Sequence, residues 1–246
     1  MLLGPARARR LVGVLALLGF VLRLSFGLFY WVGKPLTHDE REYLALSQSI
    51  TAGHGFGYDP GHETGTTQQF GRAPFYPVFL AAIGTGAHAY SATPTRVKVA
   101  QSLIGAMGVW LIAAIAMRLA GDSAAVAAAL IAAVYPPLVW ICSYVLSESL
   151  YSTVALGAVL TLDRALDRAD GDRASAGRTW AVSSGLVTGI AILVRPAMLF
   201  FLPLASVWLA RRRRGVLAAL LVTAALAVVA PWTARNVRLF HRPVLV

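Results

Sequence analysis

Seven stretches of almost uncharged apolar residues, at 11–22, 103–117, 124–142, 150–162, 186–194, 197–210 and 215–231, constrain this chain more than any other feature. A helix needs ~20 mainly apolar residues to cross the hydrocarbon core of a bilayer. With their flanks, these stretches predict spans at about 11–32, 94–118, 124–141, 145–162, 179–195, 197–210 and 215–231. Composition agrees: 57% of the 246 residues are hydrophobic and 13% charged, where a soluble domain carries about 25% charged residues. The expected fold is therefore an all-α integral membrane bundle of about seven transmembrane helices, a single transmembrane domain over 1–246.

The net charge of +11 does not point to nucleic acid. The basic residues sit between the apolar runs, as loop anchors do, and form no face interleaved with stacking aromatics. Cys142 is the only cysteine, so an intramolecular disulfide and a Cys-rich zinc site are excluded. The N-terminal apolar run continues to Trp31 without a small-residue cleavage site and reads as a retained first span, not a signal peptide.

Charge sets the orientation. Six crossings separate Arg7, Arg9 and Arg10 from Arg211–Arg214, so both clusters share one side, and the positive-inside rule makes it cytoplasmic. Arg118 and the 163–178 loop fall on the same side. This parity requires the apolar segment 74–90 to lie on the outer surface as an interfacial or re-entrant helix. Residues 33–93 then form one long outer loop with juxtamembrane helices. It holds five of the eleven carboxylates (Asp39, Glu40, Glu42, Asp59, Glu63) and four of the five histidines (His38, His54, His62, His88). Ionisable chemistry is concentrated on one face.

Within that loop, Thr37 and Glu40 have capping-box spacing and predict a helix start. Tyr43, Leu46 and Ile50 follow as an apolar stripe, and Gly53-His54-Gly55-Phe56-Gly57 ends the pattern. Asp39 reads either as a carboxylate favoured by the helix dipole or as a base that takes a proton from an attacking hydroxyl or amine. His54, His62 and Glu63 are candidate metal ligands without a compact HxH or HExxH spacing. Arg72 reads as an interface anchor or a holder of a lipid phosphate. Glu148 beside a span needs a cavity or a partner, and Arg195-Pro196 repeats that situation at another boundary. Arg23 is a charge inside the first span. Arg235, Arg238 and Arg242 lie on the outer side against the charge rule and invite an anionic ligand.

These residues resemble a known family. Asp39-Glu40, Gly53-His54-Gly55-Phe56, Arg72-Ala73-Pro74-Phe75-Tyr76-Pro77, Ser147-Glu148-Ser149-Leu150, Arg195-Pro196 and Pro231-Trp232-Thr233-Ala234-Arg235-Asn236 follow an N-terminal span in the order seen in GT-C membrane glycosyltransferases. The closest resemblance is to the bacterial protein-mannosyltransferase-like and aminoarabinose-transferase-like set, of the glycosyltransferase family 39 type. The resemblance implies a GT-C-like bundle in the bacterial inner membrane with a cytoplasmic N-terminus. It also implies a sugar donor carried on a polyprenyl phosphate and used at the outer face. The acceptor would be a lipid, glycan or protein. By position, Asp39 would be the catalytic base and Arg72 would contact the donor phosphate; Arg235 and Arg238, outer arginines against the charge rule, are further candidates for that phosphate. Glu40, Tyr76, Glu148 and Arg195 are candidates for the substrate cavity. Aminoarabinose-type relatives place a metal-associated glutamate just before the residue matching Arg72. Here that residue is Gly71, so no metal ligand is assigned, although a divalent metal remains open as a cofactor. The resemblance further implies that the chain is the N-terminal part of a longer enzyme, with a missing C-terminal half or a partner subunit. A transporter or lipid flippase, or an inactive remnant, is the competing reading. The absence of an internal repeat and the clustering of ionisable groups in one outer loop argue against transport.

Overall fold

The computed structural model describes residues 4–57, 72–169, 174–241 and 244–246. Asp59, His62, Glu63, Gly71 and Arg242, all singled out above, lie outside the described residues. The chain packs as two compact units, Met1–Thr153 and Val154–Val246.

The first unit opens with α1 (Pro5–Ser25), which continues through a π-helical turn, Phe26–Tyr30. α2 (His38–Thr51) and α3 (Phe75–Ala82) follow. Next comes α4 (Thr95–Val134), then the short α5 (Pro136–Trp140) and the start of α6 (Glu148–Asp167). A straight 40-residue helix would run about 60 Å, twice the ~30 Å of a bilayer core. α4 is not straight. Gly121 adopts φ 83° and ψ −173°, a backbone region open essentially only to glycine, and divides the helix into arms of 95–120 and 122–134. The sequence predicted two spans here, at 94–118 and 124–141, and Gly121 lies between those two ranges.

α1 runs antiparallel to the first arm. Near one end Lys98 Nζ donates to Gly27 O at 2.9 Å and Trp31 O at 2.7 Å. Further along, a Cβ added to Gly19 would lie 3.3 Å from Val109 Cγ2 and 3.4 Å from Ala133 Cα. The second arm turns Ala125, Ala129, Ala132 and Ala133 toward Val12, Val109 and Ala113. Small side chains allow such close helix approach where lipid removes the hydrophobic drive for association.

Arg23 fills the break between α4 and α5. Pro136 and Pro137 have no N–H to return to the carbonyls four residues earlier. Arg23, 1% exposed, supplies the missing donors: Nη2 to Ala132 O at 3.0 Å and Nη1 to Ala133 O at 3.2 Å. Gly105 leaves room for it, since a Cβ there would lie 2.7 Å from Arg23 Nε.

Beyond the end of α1, an antiparallel bridge between Pro35 and Ala92 closes the two ends of the 33–93 segment. α3 has eight residues, and the chain turns at Gly84 (φ 79°). The apolar segment 74–90 is thus helical only in its first half. Eight residues fall far short of a crossing, in keeping with a surface position.

In the second unit α7 (Ala174–Val194) packs along α9 (Gly215–Phe240). A Cβ on Gly189 would lie 2.6 Å from Val228 Cβ and 2.8 Å from Ala225 O, and one on Gly185 would lie 2.6 Å from Ala224 Cβ. This small-xxx-small pair lets the helices touch. A 3-10 turn, Pro196–Phe200, leads into α8 (Phe201–Arg211). Arg214 Nη1 donates to Ala169 O at 3.3 Å, so the basic 211–214 turn and the end of α6 share one end of this unit.

Helices occupy all seven predicted positions. Among the described residues four are long and apolar enough to cross a membrane: Pro5–Tyr30, Thr95–Val134, Ala174–Val194 and Gly215–Leu239. Pro196–Arg211 is apolar but shorter. α6 carries Glu148, Asp163, Arg164 and Asp167. The chain is an all-α, multi-pass membrane protein.

Candidate functional site

The capping box predicted at Thr37 is present and builds the site. Glu40 N donates to Thr37 Oγ1 at 3.4 Å, and Glu40 Oε2 accepts from Thr37 N at 2.9 Å. Glu40 does more than cap. Its other oxygen accepts from Val145 N at 2.8 Å and Thr93 Oγ1 at 3.3 Å, and the residue is 2% exposed. A carboxylate so enclosed pins the start of α2 to the chain before α6, which fixes what the next turns present.

Those turns present Asp39, Glu42 and Tyr43, neighbours on one helical face. Arg72, 33 residues from Asp39 in sequence, reaches them all. Its Nε donates to Glu42 Oε2 at 2.8 Å, and its Nη2 lies between Asp39 Oδ1 and Glu42 Oε2. The guanidinium stacks on the Tyr43 ring at 4.9 Å. Burial alone would lower the Arg72 pKa, but the hydrogen bonds to Asp39 and Glu42 outweigh it and hold the group above its ordinary value. His38 Nε2 lies 3.3 Å from Glu42 Oε1.

Beneath this cluster Tyr43 meets the fully buried Tyr76 edge-on at 4.8 Å and donates to Ser147 Oγ at 3.4 Å. The Tyr76 hydroxyl has no hydrogen-bond partner among the described residues. Burial, with Tyr43, Glu148 and Glu40 nearby, raises its pKa well above the ordinary phenol value. Glu148 opens α6, half-buried. Among the described residues no three His, Cys, Asp or Glu side chains gather as a metal ion would need. The cation between Asp39 and Glu42 is Arg72.

The remaining candidates belong to the second unit. Arg195 caps the 3-10 turn in extended conformation (φ −150°, ψ 129°), as a residue before proline prefers. Arg235 stacks on Trp232 at 4.5 Å and donates to Asn236 Oδ1 at 3.2 Å, and Asn236 Nδ2 donates to Val244 O at 3.0 Å. Arg238 is exposed at an apolar cavity of about 500 Å³ lined by Leu226, Val229, Val237 and Leu245.

Sequence reasoning placed Asp39 and Arg72 at the site and passed over Glu42 and Tyr43 as contributors. Their spacing of three and four from Asp39 was the available signal.

The sequence profile described as dolichyl-phosphate-mannose-protein mannosyltransferase matches residues 73–234, which is 162 of the 246 residues. The chain belongs to this family. It is a membrane glycosyltransferase of the GT-C type. Asp39 and Arg72 precede the matched stretch, and Arg235 and Arg238 follow it. No curated protein and no solved structure matches the chain.

Proposed function

We propose that the chain transfers a sugar from a polyprenyl-phosphate donor to an acceptor at the outer face of a bacterial inner membrane. Membership of the dolichyl-phosphate-mannose-protein mannosyltransferase family supports a lipid-linked donor. The observation that carries the reading is the meeting of Asp39 with Arg72 in the polar outer segment. Seven crossings with a cytoplasmic N-terminus place that segment outside. The helix reversal at Gly121 and the shortness of α3 both favour this count.

In this reading the acceptor oxygen attacks the anomeric carbon from the side opposite the phosphate. A new C–O bond forms and the bond from C1 to the phosphate oxygen breaks, inverting configuration. The acceptor proton passes to the Asp39 carboxylate, and polyprenyl phosphate leaves with the bonding electrons. A planar guanidinium can hold two phosphate oxygens at once. Arg72 does this for the leaving phosphate; Arg235 and Arg238, in the second unit, are candidates for an anionic ligand by themselves. Donor binding therefore draws Arg72 off Asp39, releasing the base as the leaving group is secured. Glu40 fixes the helix that carries Asp39, Tyr76 and Glu148 are the remaining candidates for the substrate cavity beside it, and Arg195, in the second unit, is a separate candidate.

The test is transfer from a labelled polyprenyl-phosphate hexose in proteoliposomes, with Arg72→Ala as the comparison. Transfer by the wild type that falls with Arg72→Ala is expected. A wild type that neither binds nor consumes the lipid-linked donor removes the proposal.

A further inference from the structure

Arg72 is held by two carboxylates, and their surroundings differ. Side-chain exposure is 20% for Arg72 and 17% for Glu42, against 53% for Asp39. The Glu42 half of the cluster is enclosed, and the Asp39 half is open to solvent. A salt bridge in solvent exchanges easily and is worth little, whereas an enclosed charge-assisted hydrogen bond is stronger. The contacts also differ in kind. Glu42 takes the Nε edge at 2.8 Å and shares Nη2 at 2.6 Å. Asp39 takes Nη2 alone. Nη1 makes no hydrogen bond among the described residues. A guanidinium that lets go of Asp39 therefore keeps its Glu42 contact and its seat on Tyr43.

Tyr43 is in turn fixed by the edge of Tyr76 at 4.8 Å and by Ser147 Oγ at 3.4 Å. Glu42 is steadied from the other side by His38, 3.3 Å from its second oxygen. Of the three contacts, two on the edge and face of the guanidinium and one to Asp39, the one to Asp39 involves the most exposed partner.

We propose that Glu42 is a positioning residue of the donor site: it anchors Arg72 so that a phosphate can exchange with Asp39 without displacing the arginine. This rests on the glycosyltransferase reading above and adds a residue to it. Without the Glu42 charge, Arg72 turns fully onto Asp39 as a two-toothed pair, and the phosphate must compete with it. The defect then falls on donor binding, and saturating donor restores the rate.

The experiment measures donor KM and kcat in proteoliposomes for the wild type, Glu42→Gln, Arg72→Ala and the double variant. Thermal unfolding of each is followed in parallel. Glu42→Gln keeps the shape and removes the charge. Its donor KM is expected to rise at least about tenfold, the scale of a lost charged hydrogen bond, with kcat changed less than about threefold. In the Arg72→Ala background Glu42→Gln should add nothing to donor KM, because Glu42 acts through Arg72. An unchanged donor KM overturns the proposal. So does a lowered kcat at unchanged KM, which would make Glu42 a base. Additive losses that track a lowered melting temperature overturn it too, and mark Glu42 as merely structural. Loss of both transfer and polyprenyl-phosphate binding in the wild type is a different pattern, and removes the glycosyltransferase reading together with this one.

Discussion

The guanidinium of Arg23 donates to the carbonyl of Ala132, 109 residues further along the chain, at 3.0 Å. That carbonyl is one of the two left without a helical donor by Pro136 and Pro137. A charge inside a membrane span invites a functional reading, but this one repairs a helix break. Arg23→Met should destabilise the protein by about 2–6 kcal/mol, since it leaves two buried carbonyls unpaired at roughly 1–3 kcal/mol each. With Pro136 and Pro137 both changed to Ala, the helix supplies its own N–H groups, and Arg23→Met should cost much less. Unfolding in detergent across this double-mutant cycle measures the coupling. Equal losses in both backgrounds would show that Arg23 acts elsewhere.

A second prediction concerns the close approach of α7 and α9. Gly189→Val pushes a branched side chain into Val228 Cβ and Ala225 O, where even a bare Cβ would sit at 2.6 Å and 2.8 Å. Overpacking of this kind costs about 1–3 kcal/mol or more. Gly157→Ala, where the nearest atom is Val187 Cγ1 at 3.6 Å, should instead stabilise by about 0.5–1 kcal/mol through helix propensity. Thermal unfolding of the two variants should move in opposite directions. If Gly189→Val melts like the wild type, the helices are not in contact there.

These two cases also show what the sequence discloses and what it hides. Local signals were legible. Thr37 and Glu40 announced the start of α2 from a spacing of three, and apolar run length located the helices. Long-range pairing was not. Nothing near Glu40 says that its second oxygen will meet Val145 N, 105 residues away. Arg23 reads as an anomaly until Pro136 and Pro137 are set beside it. The Gly185–Gly189 pair was readable from spacing, but its partner helix was not. Asp39 and Arg72 stand out in the sequence for separate reasons, the first for its helix position and the second as an arginine at the membrane interface. Their contact depends on how the chain returns to α2.

Tyr76→Phe should stabilise the fold. A buried hydroxyl without a partner carries a desolvation cost of about 1–3 kcal/mol, and Phe keeps the ring packed against Tyr43. The variant should melt higher at neutral pH. The pH dependence has a definite sign. The folded-state phenol is raised above its ordinary value by burial, so its contribution is complete below the ordinary phenol pKa and is lost as pH rises through the folded one. Tyr76→Phe should remove that alkaline loss. A lower melting temperature at pH 7 would mean the hydroxyl has a partner. Reduced transfer with raised stability would place it against substrate.

The topology makes a labelling prediction. Cys142 is 1% exposed, and Cys142→Ala gives a cysteine-free background. His54→Cys should then react with a membrane-impermeant maleimide from outside, and Arg213→Cys only after the membrane is opened. The reverse pattern would invert the whole orientation, and labelling of both from one side would change the number of crossings.

The last prediction separates chemistry from structure at Asp39. The capping of α2 belongs to Thr37 and Glu40, both engaged at 2.9 Å, so Asp39 is not needed to start the helix. Its contact with Arg72 is half open to solvent, and exposed ion pairs contribute only about 0–1 kcal/mol. The helix-dipole contribution is ~0.3–1 kcal/mol. Asp39→Asn keeps the side-chain shape and removes the proton acceptor. Loss of a general base costs ~10²–10⁴ in rate, equivalent to ~2.7–5.4 kcal/mol of barrier. The two effects differ enough to be measured apart. Transfer from a polyprenyl-phosphate sugar should fall by at least about a hundredfold at saturating donor, while the detergent melting temperature stays within a few degrees of the wild type. Donor KM should stay the same or fall, because Arg72 loses a competitor for the phosphate. Near-normal transfer would reduce Asp39 to a helix-start carboxylate. Parallel loss of activity and stability would make it a structural partner of Arg72. Only lost turnover with retained stability and undiminished donor binding identifies the base.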